Sequence, residues 1–212
     1  IRDRYRADSS DLYVARLHLE PIMRSWANQY FVELKDSGSM AKGTSLNVNS
    51  DIDFLVSLGN VPNMTLKDIF NSLLSYLKSN GFPQAKAQNV SINLKYMGKS
   101  IDVSPAQRHP GIYSNDHSLY LSRQDTWRKT NIDEHINLVR NSYRTNEIKL
   151  AKIWRYNNNL EFPSLLIEVM SIEALQGFHG DISQNFWRVL EFIRYNIMTV
   201  SYTHLTLPTM EL

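Results

Sequence analysis

Apolar and aromatic positions recur at helical spacing from residue 11 to 33, at Leu12, Tyr13, Leu17, Leu19, Ile22, Met23, Trp26 and Tyr30. They predict a long first helix with a kink or restart at Pro21. The period then shortens to two: Ile52, Phe54, Val56 and Leu58 mark the apolar face of a strand, and Asp51 and Asp53 fall on the other face. Thr65-Leu66-Lys67-Asp68 opens a second helix with a capping-box pattern, in which Leu66, Ile69, Phe70, Leu73, Leu74 and Leu77 face inward and Gly81 ends the run. Val90, Ile92, Leu94 and Tyr96 alternate up to a turn signal in Met97-Gly98-Lys99, which predicts a hairpin over 90–104. Residues 105–130 read as a connector. Beyond them the pattern is helical only, over 132–142, 146–158, 163–176 and 182–198, and Leu165 to Met170 is apolar on nearly all faces, so that helix should be buried. There is no internal repeat and no low-complexity segment. The order of elements predicts an α+β chain: an α/β lobe over 1–115 with its long N-terminal helix and a mixed sheet, then a helical lobe over 116–199.

Chemistry concentrates where the period changes. Gly38-Ser39 precedes Gly43-Thr44 and then Asp51-Ile52-Asp53. Two carboxylates one residue apart on a strand face lie roughly 6.5 to 7 Å apart at the backbone, a span that lets them bracket two divalent ions about 3.5 to 4 Å from each other. Such ions prefer hard oxygen ligands. A glycine lets the backbone approach a phosphate closely, with N–H groups and the Ser39 hydroxyl free to bind it. A lone Asp-x-Asp is more often an Asx-type turn with two solvated acids; the Gly-Ser half reverses that balance. Asp102, between Ile101 and Val103, also leaves the core face, although an isolated triplet of this kind carries little weight by itself. Lys149 and Lys152, three apart, share a helix face and would suit a polyphosphate, yet the pattern alone describes a solvated amphipathic helix better.

Composition sets outer limits. With 212 residues, 42% of them hydrophobic, the chain can bury one substantial core or two small ones. A net charge of +2 gives no argument for a long nucleic-acid partner. The absence of cysteine excludes a disulfide framework and a thiolate zinc site. The six histidines, at 18, 109, 117, 135, 179 and 204, lack ligand spacing and read as ordinary surface or core residues. No apolar run is long enough to span a bilayer and no signal-peptide pattern opens the chain, so a cytoplasmic protein without a membrane partner is expected. The chain begins at Ile1, which suggests a start that is processed, trimmed or missing. Residues 200–209 resemble a translated sequencing adapter, so 200–212 is set aside as a non-native tail and the native C-terminus is expected to be absent; a genuine short β-prone tail would have the same composition.

The ungapped Gly-Ser, Gly-Thr and Asp-x-Asp block resembles the DNA polymerase beta-like nucleotidyltransferases, a superfamily that carries a third carboxylate on a later strand. Asp102 is the candidate here. Leu150-Ala151-Lys152-Ile153-Trp154 and Pro163-Ser164-Leu165-Leu166-Ile167-Glu168 are similar to two helices of oligoadenylate synthases and of the CD-NTases, the bacterial relatives of cyclic GMP-AMP synthase. The resemblance spans about residues 8–195. It implies that Asp51, Asp53 and Asp102 hold two magnesium or manganese ions and that Ser39 and Lys152, with Lys149 as a weaker second, bind the triphosphate. Gly38 would admit the phosphate and Ser164 would approach the nucleotide. Where relatives often stack an aromatic ring on the base after this serine, the chain has Leu165. Glu168 reads better as a packing carboxylate paired to a cation than as a catalytic acid, and Trp127 better as a packing residue than as a ligand contact. The implied activity is condensation of nucleoside triphosphates into a cyclic or linear oligonucleotide second messenger with release of pyrophosphate, in bacterial antiphage defence; a regulatory protein partner is compatible with it. The alternatives are a template-independent transferase acting on an RNA 3′ end, a protein or a small molecule, and a nucleotide-binding protein without turnover.

Overall fold

The computed structural model describes residues 2–5, 7–8, 10–48, 51–111 and 114–196; the tail over 200–212 lies outside them. In chain order the elements are α1 (Ser10–Ala27), β1 (Phe31–Ser37), α2 (Gly38–Lys42), β2 (Ile52–Leu58), α3 (Leu66–Ser79), β3 (Lys86–Ala87), β4 (Ile92–Tyr96), β5 (Lys99–Arg108), β6 (His117–Leu121) and β7 (Thr126–Thr130). Helices α4 (Ile132–Asn141), α5 (Thr145–Asn157), α6 (Ser164–Ala174) and α7 (Ile182–Asn196) follow. This is the predicted α+β content. The described residues divide into a sheet unit, within 8–41 and 51–133, and a helical unit, within 2–7, 42–48 and 134–196.

In the sheet unit the strand order is β1-β2-β5-β4-β3, with β6 beside β5 and β7 beside β6. Strands β2 and β5 run parallel; the other pairings are antiparallel. Apolar faces of α1 and α3 cover the sheet through Leu19, Met23, Phe70, Leu73 and Leu77 against Phe54, Val56, Ile101 and Val103. The capping box forms as read: Thr65 accepts from the Asp68 amide and Asp68 accepts from the Thr65 amide. The hairpin closes through Met97 and Gly98, both at positive φ, the geometry a two-residue turn demands.

Three expectations need correction. The first helix ends at Ala27 rather than 33, because Asn28 takes a left-handed φ of 49° and residues from Phe31 onward pair with β2, where they satisfy strand rather than helix hydrogen bonding. The segment 105–130 is not a connector: it holds the end of β5 and all of β6 and β7, so the sheet unit continues past residue 115 to about 133. Neither new strand announces itself by alternation, since β6 is buried at nearly every position and β7 is mostly exposed. Trp127, on β7, does not pack in the core; it is 58% exposed.

In the helical unit α5, α6 and α7 pack around Ala151, Ile167, Met170, Val189 and Ile193. The uniformly apolar stretch of α6 is buried as its composition demands, with Leu166, Ile167, Glu168 and Met170 inside.

Candidate active site

One row of residues crosses four strands of the sheet unit. Ser37 on β1 faces Asp53 on β2, Asp53 faces Asp102 on β5, and Asp102 faces Asn93 on β4. Directly paired residues point to the same side of a sheet, so the two aspartates are neighbours at the strand spacing of about 4.8 Å. Their flanking residues Ile52, Phe54, Ile101 and Val103 are buried in the main core on the opposite face. Further along, the carboxylate face closes over: Leu55, Ala106 and Leu119 form a second small core with Ile132 against it. Ser57 is also buried there, 2.8 Å from Nε2 of His117. The Nδ1 of that ring faces the Asn115 carbonyl at 2.9 Å, so Nδ1 carries the proton and the Ser57 hydroxyl donates to Nε2. Burial lowers the His117 pKa and keeps the ring neutral. The acids thus sit at the open margin of a face that is dry beyond them. Burial pushes the Asp102 carboxyl up from the usual range; the Asn93 amide, donating to Oδ1 at 2.7 Å, opposes this, while repulsion from Asp51 adds to it. Asp51 itself is exposed just before β2.

Gly38 follows the β1 residue that pairs with Asp53. Its φ is +63°, and a β-carbon placed there would lie 1.8 Å from Asp53 Oδ2. Only glycine meets both conditions. Gly38 opens α2, whose first-turn amides have no intrahelical acceptors, and the half-buried Ser39 comes next. A Gly38→Ala variant is expected to lose about a hundredfold in turnover through displacement of Asp53, whose side-chain atoms are the nearest that a β-carbon at Gly38 would meet. Steady-state kinetics alongside circular dichroism checks this; full activity in the alanine form would contradict it.

Among the described residues, no group of three acidic or histidine side chains is gathered closely enough to cage an ion. The donors nevertheless fit magnesium or manganese. Such ions take hard oxygen ligands and are commonly held by one or two carboxylates together with substrate phosphates and water. The repulsion that Asp51 exerts on Asp102 is what a cation would relieve. The fit is to an open carboxylate set.

The other predicted residues belong to the helical unit. Lys152 is not a solvated cation, as the amphipathic pattern of α5 suggests; it is 3% exposed. Its ammonium donates to Glu168 Oε1 at 2.6 Å and to the Thr44 hydroxyl at 2.9 Å. Thr44 in turn donates to the same carboxylate oxygen, and Lys42 donates to Oε2 at 2.8 Å. Glu168 is thus the packing carboxylate that the sequence favoured, ringed by two lysines and a threonine. Lys42 escaped the sequence reading because nothing local distinguishes it from a loop lysine. Burial opposes ionisation of Glu168, but the attraction and hydrogen bonds of Lys152 and Lys42 outweigh it and hold the carboxyl below its usual value. Burial is also the largest influence on Lys152 and lowers its pKa, with Glu168 opposing. Lys149 is half-buried on the same helix. Ser164, at the start of α6, accepts from the Arg155 guanidinium at 3.2 Å.

His135 belongs to this neighbourhood. Burial, reinforced by the Lys42 charge, lowers its pKa from 6.5 to about 4. A histidine whose folded pKa is depressed contributes stability above 6.5 that is lost as pH falls toward 4, since only the unfolded chain takes up the proton in that window. Glu168 acts with the same sign below its unfolded value of 4.5. Urea denaturation from pH 7 to pH 4 is expected to show stability falling by on the order of 3 kcal/mol, and His135→Gln should flatten the part above pH 4.5. An unchanged slope in that variant would contradict the assignment.

No family model matches the chain. The cyclic AMP-AMP-AMP synthase of Escherichia coli strain MS 115-1 is 28% identical over 77% of this chain and 56% of its own length, so the chain spans little more than half of that relative. Among solved structures, E. coli MS115-1 CdnC in its complex with HORMA-deltaN superposes with a TM-score of 0.69 at 22% identity, covering 93% of this chain and 68% of that one. The same protein with ATP gives 0.69 at 22% identity, covering 90% and 66%. The Bradyrhizobium diazoefficiens CD-NTase CdnG in complex with GTP gives 0.76 at 13% identity, covering 95% and 75%. The fold is therefore a nucleotidyltransferase fold. Within that class it is CD-NTase-like.

Proposed function

We propose that the protein is a metal-dependent nucleotidyltransferase that joins nucleoside triphosphates into a cyclic or linear oligonucleotide, releasing pyrophosphate, as a second messenger in bacterial antiphage defence. The observation that carries this reading is the placement of Asp53 and Asp102 side by side on parallel strands, with Gly38 packed against Asp53. Support comes from the likeness to the E. coli cyclic AMP-AMP-AMP synthase and to structural neighbours solved with ATP and GTP. The complex of CdnC with HORMA-deltaN supports a regulatory protein partner. No described helix is long and apolar enough to cross a membrane, and a chain without cysteine suits the cytoplasm.

Asp51, Asp53 and Asp102 would hold the divalent ions, which supply activation of the attacking hydroxyl and neutralisation of the leaving pyrophosphate when bound. The carboxylates fix where positive charge can gather, and the buried Leu55, Ala106 and Leu119 further along the same face strengthen electrostatic interactions at that margin by excluding solvent from one side. Gly38 admits the phosphate close to the backbone, and the Ser39 hydroxyl donates to it. The attacking oxygen forms its bond to the α-phosphorus as the bond to pyrophosphate breaks, and the hydroxyl proton passes to water. Lys42 and Lys152 carry two positive charges against the single charge of Glu168, and the surplus of one complements a triphosphate, with Lys149 adding to it. Ser164, oriented by Arg155, approaches the nucleotide.

Purified protein given the four ribonucleoside triphosphates and magnesium, with no other acceptor, should form phosphatase-resistant oligonucleotides visible by mass spectrometry. Incorporation only after an RNA, protein or small molecule is added would replace this reading with an acceptor-modifying transferase.

A further inference from the structure

The carboxylate row ends on a side chain that no part of the proposed chemistry has used. Asn93 pairs with Asp102 across the β4–β5 hairpin. Its side-chain amide nitrogen donates twice, to Asp102 Oδ1 at 2.7 Å and to the Ser100 hydroxyl at 2.8 Å. An amide NH2 has two hydrogens, so both are committed and the group has no freedom to turn. Its backbone is clamped as well: Ile92 and Leu94 on either side are buried in the main core, and Asn93 also faces Lys86 on β3. The donor is therefore carried by a central strand rather than by a loop.

The consequence falls on Asp102. A carboxylate that accepts at one oxygen from a fixed donor loses rotation about its terminal bond, and its second oxygen acquires a set direction. Asp53, the neighbour on the other side of Asp102, lies across the strand pair from Asn93. We infer that Asn93 is a positioning residue for the metal site: with the Ser91 hydroxyl, which also bonds this carboxylate, it holds Asp102 in place, and its tie at Oδ1 sets the direction in which Asp102 meets a divalent ion shared with Asp53. This rests on the metal-dependent reading given above. An asparagine is suited to the task because it donates without adding charge; an aspartate here would repel Asp102, and a lysine would compete with the ion. Ser100 holds the asparagine's other hydrogen and makes the tie one-directional.

Outer partners of this kind govern metal affinity by tenfold to a hundredfold. Binding of Mn2+ to the purified protein, followed by electron paramagnetic resonance of the free ion and without turnover, reads this directly. Asn93→Leu, which keeps size but donates nothing, is expected to weaken Mn2+ binding at least about tenfold and to raise the magnesium concentration for half-maximal activity in parallel, with the melting temperature of the metal-free protein little changed. Ser100→Ala, which frees one amide hydrogen but leaves the Asp102 bond in place, should weaken Mn2+ binding by less than Asn93→Leu does. If Asn93→Leu fails to fold, Asn93→Ala makes the same comparison. Equal Mn2+ affinity in the unaltered chain and the folded Asn93 variant would overturn the inference, as would an equal loss in Ser100→Ala. Failure of the unaltered chain to bind Mn2+ at all would overturn the metal-dependent reading itself, a different result.

Discussion

Asp53→Asn is expected to lower nucleotidyl transfer by about 10²- to 10³-fold or more while leaving the fold intact and the melting temperature unchanged or slightly raised. Asparagine has the shape of aspartate, so the contact with Gly38, where a β-carbon would come within 1.8 Å of Oδ2, is preserved. What disappears is one negative charge beside Asp102, whose carboxyl is already pushed up by Asp51 in the absence of a cation. Removing repulsion does not destabilise the fold; removing a hard anionic ligand weakens the ion's hold and the stabilisation of charge on the transferring phosphoryl group. Activity and thermal stability should therefore move independently. An unfolded variant would mean that Asp53 is structural, and a fully active one would mean that the acids do not hold the ions.

The helical unit predicts the opposite pattern. Glu168→Ala is expected to destabilise the protein by about 3 to 5 kcal/mol, because it strands Lys42 and Lys152 without their anion in a buried position. Glu168 is only 1% exposed, so water cannot replace it without opening the helices. Lys152→Met should cost less, since Lys42 remains to pair with the carboxylate. Replacing the trio together, as Lys42→Met, Glu168→Leu and Lys152→Met, should recover most of the loss, because apolar side chains of similar volume do not carry the desolvation penalty of the ions. Urea denaturation of the three proteins orders them. A Glu168→Ala protein as stable as the parent would show that the ion cluster contributes nothing.

The sheet unit was legible to the extent that its strands alternate. Ile52 to Leu58 and the hairpin about Met97 and Gly98 have one buried face at the site end, and the period of two reports it. Strand β6 is buried on both faces and β7 is mostly exposed, so neither shows a period, and they vanished into a connector. Asn93 could have been found: counting outward from the two-residue turn pairs Tyr96 with Lys99 and, three steps on, Asn93 with Asp102. The parallel pairing of Asp53 with Asp102 could not, because it joins strands separated by α3 and the hairpin, and only the folded sheet fixes that register. Lys152 was found as a cation, but its burial depends on Lys42, Thr44 and Glu168, which are distant in the chain.

Pyrophosphate release from nucleoside triphosphates alone, with magnesium and no added acceptor, tests the central claim most directly. The chain should release pyrophosphate in proportion to the oligonucleotide formed, chelation of the metal should stop both, and the Asp53→Asn protein should release little pyrophosphate and form little oligonucleotide. Triphosphate binding without pyrophosphate, or equal release by the Asp53→Asn protein, would contradict a carboxylate-dependent nucleotidyltransferase.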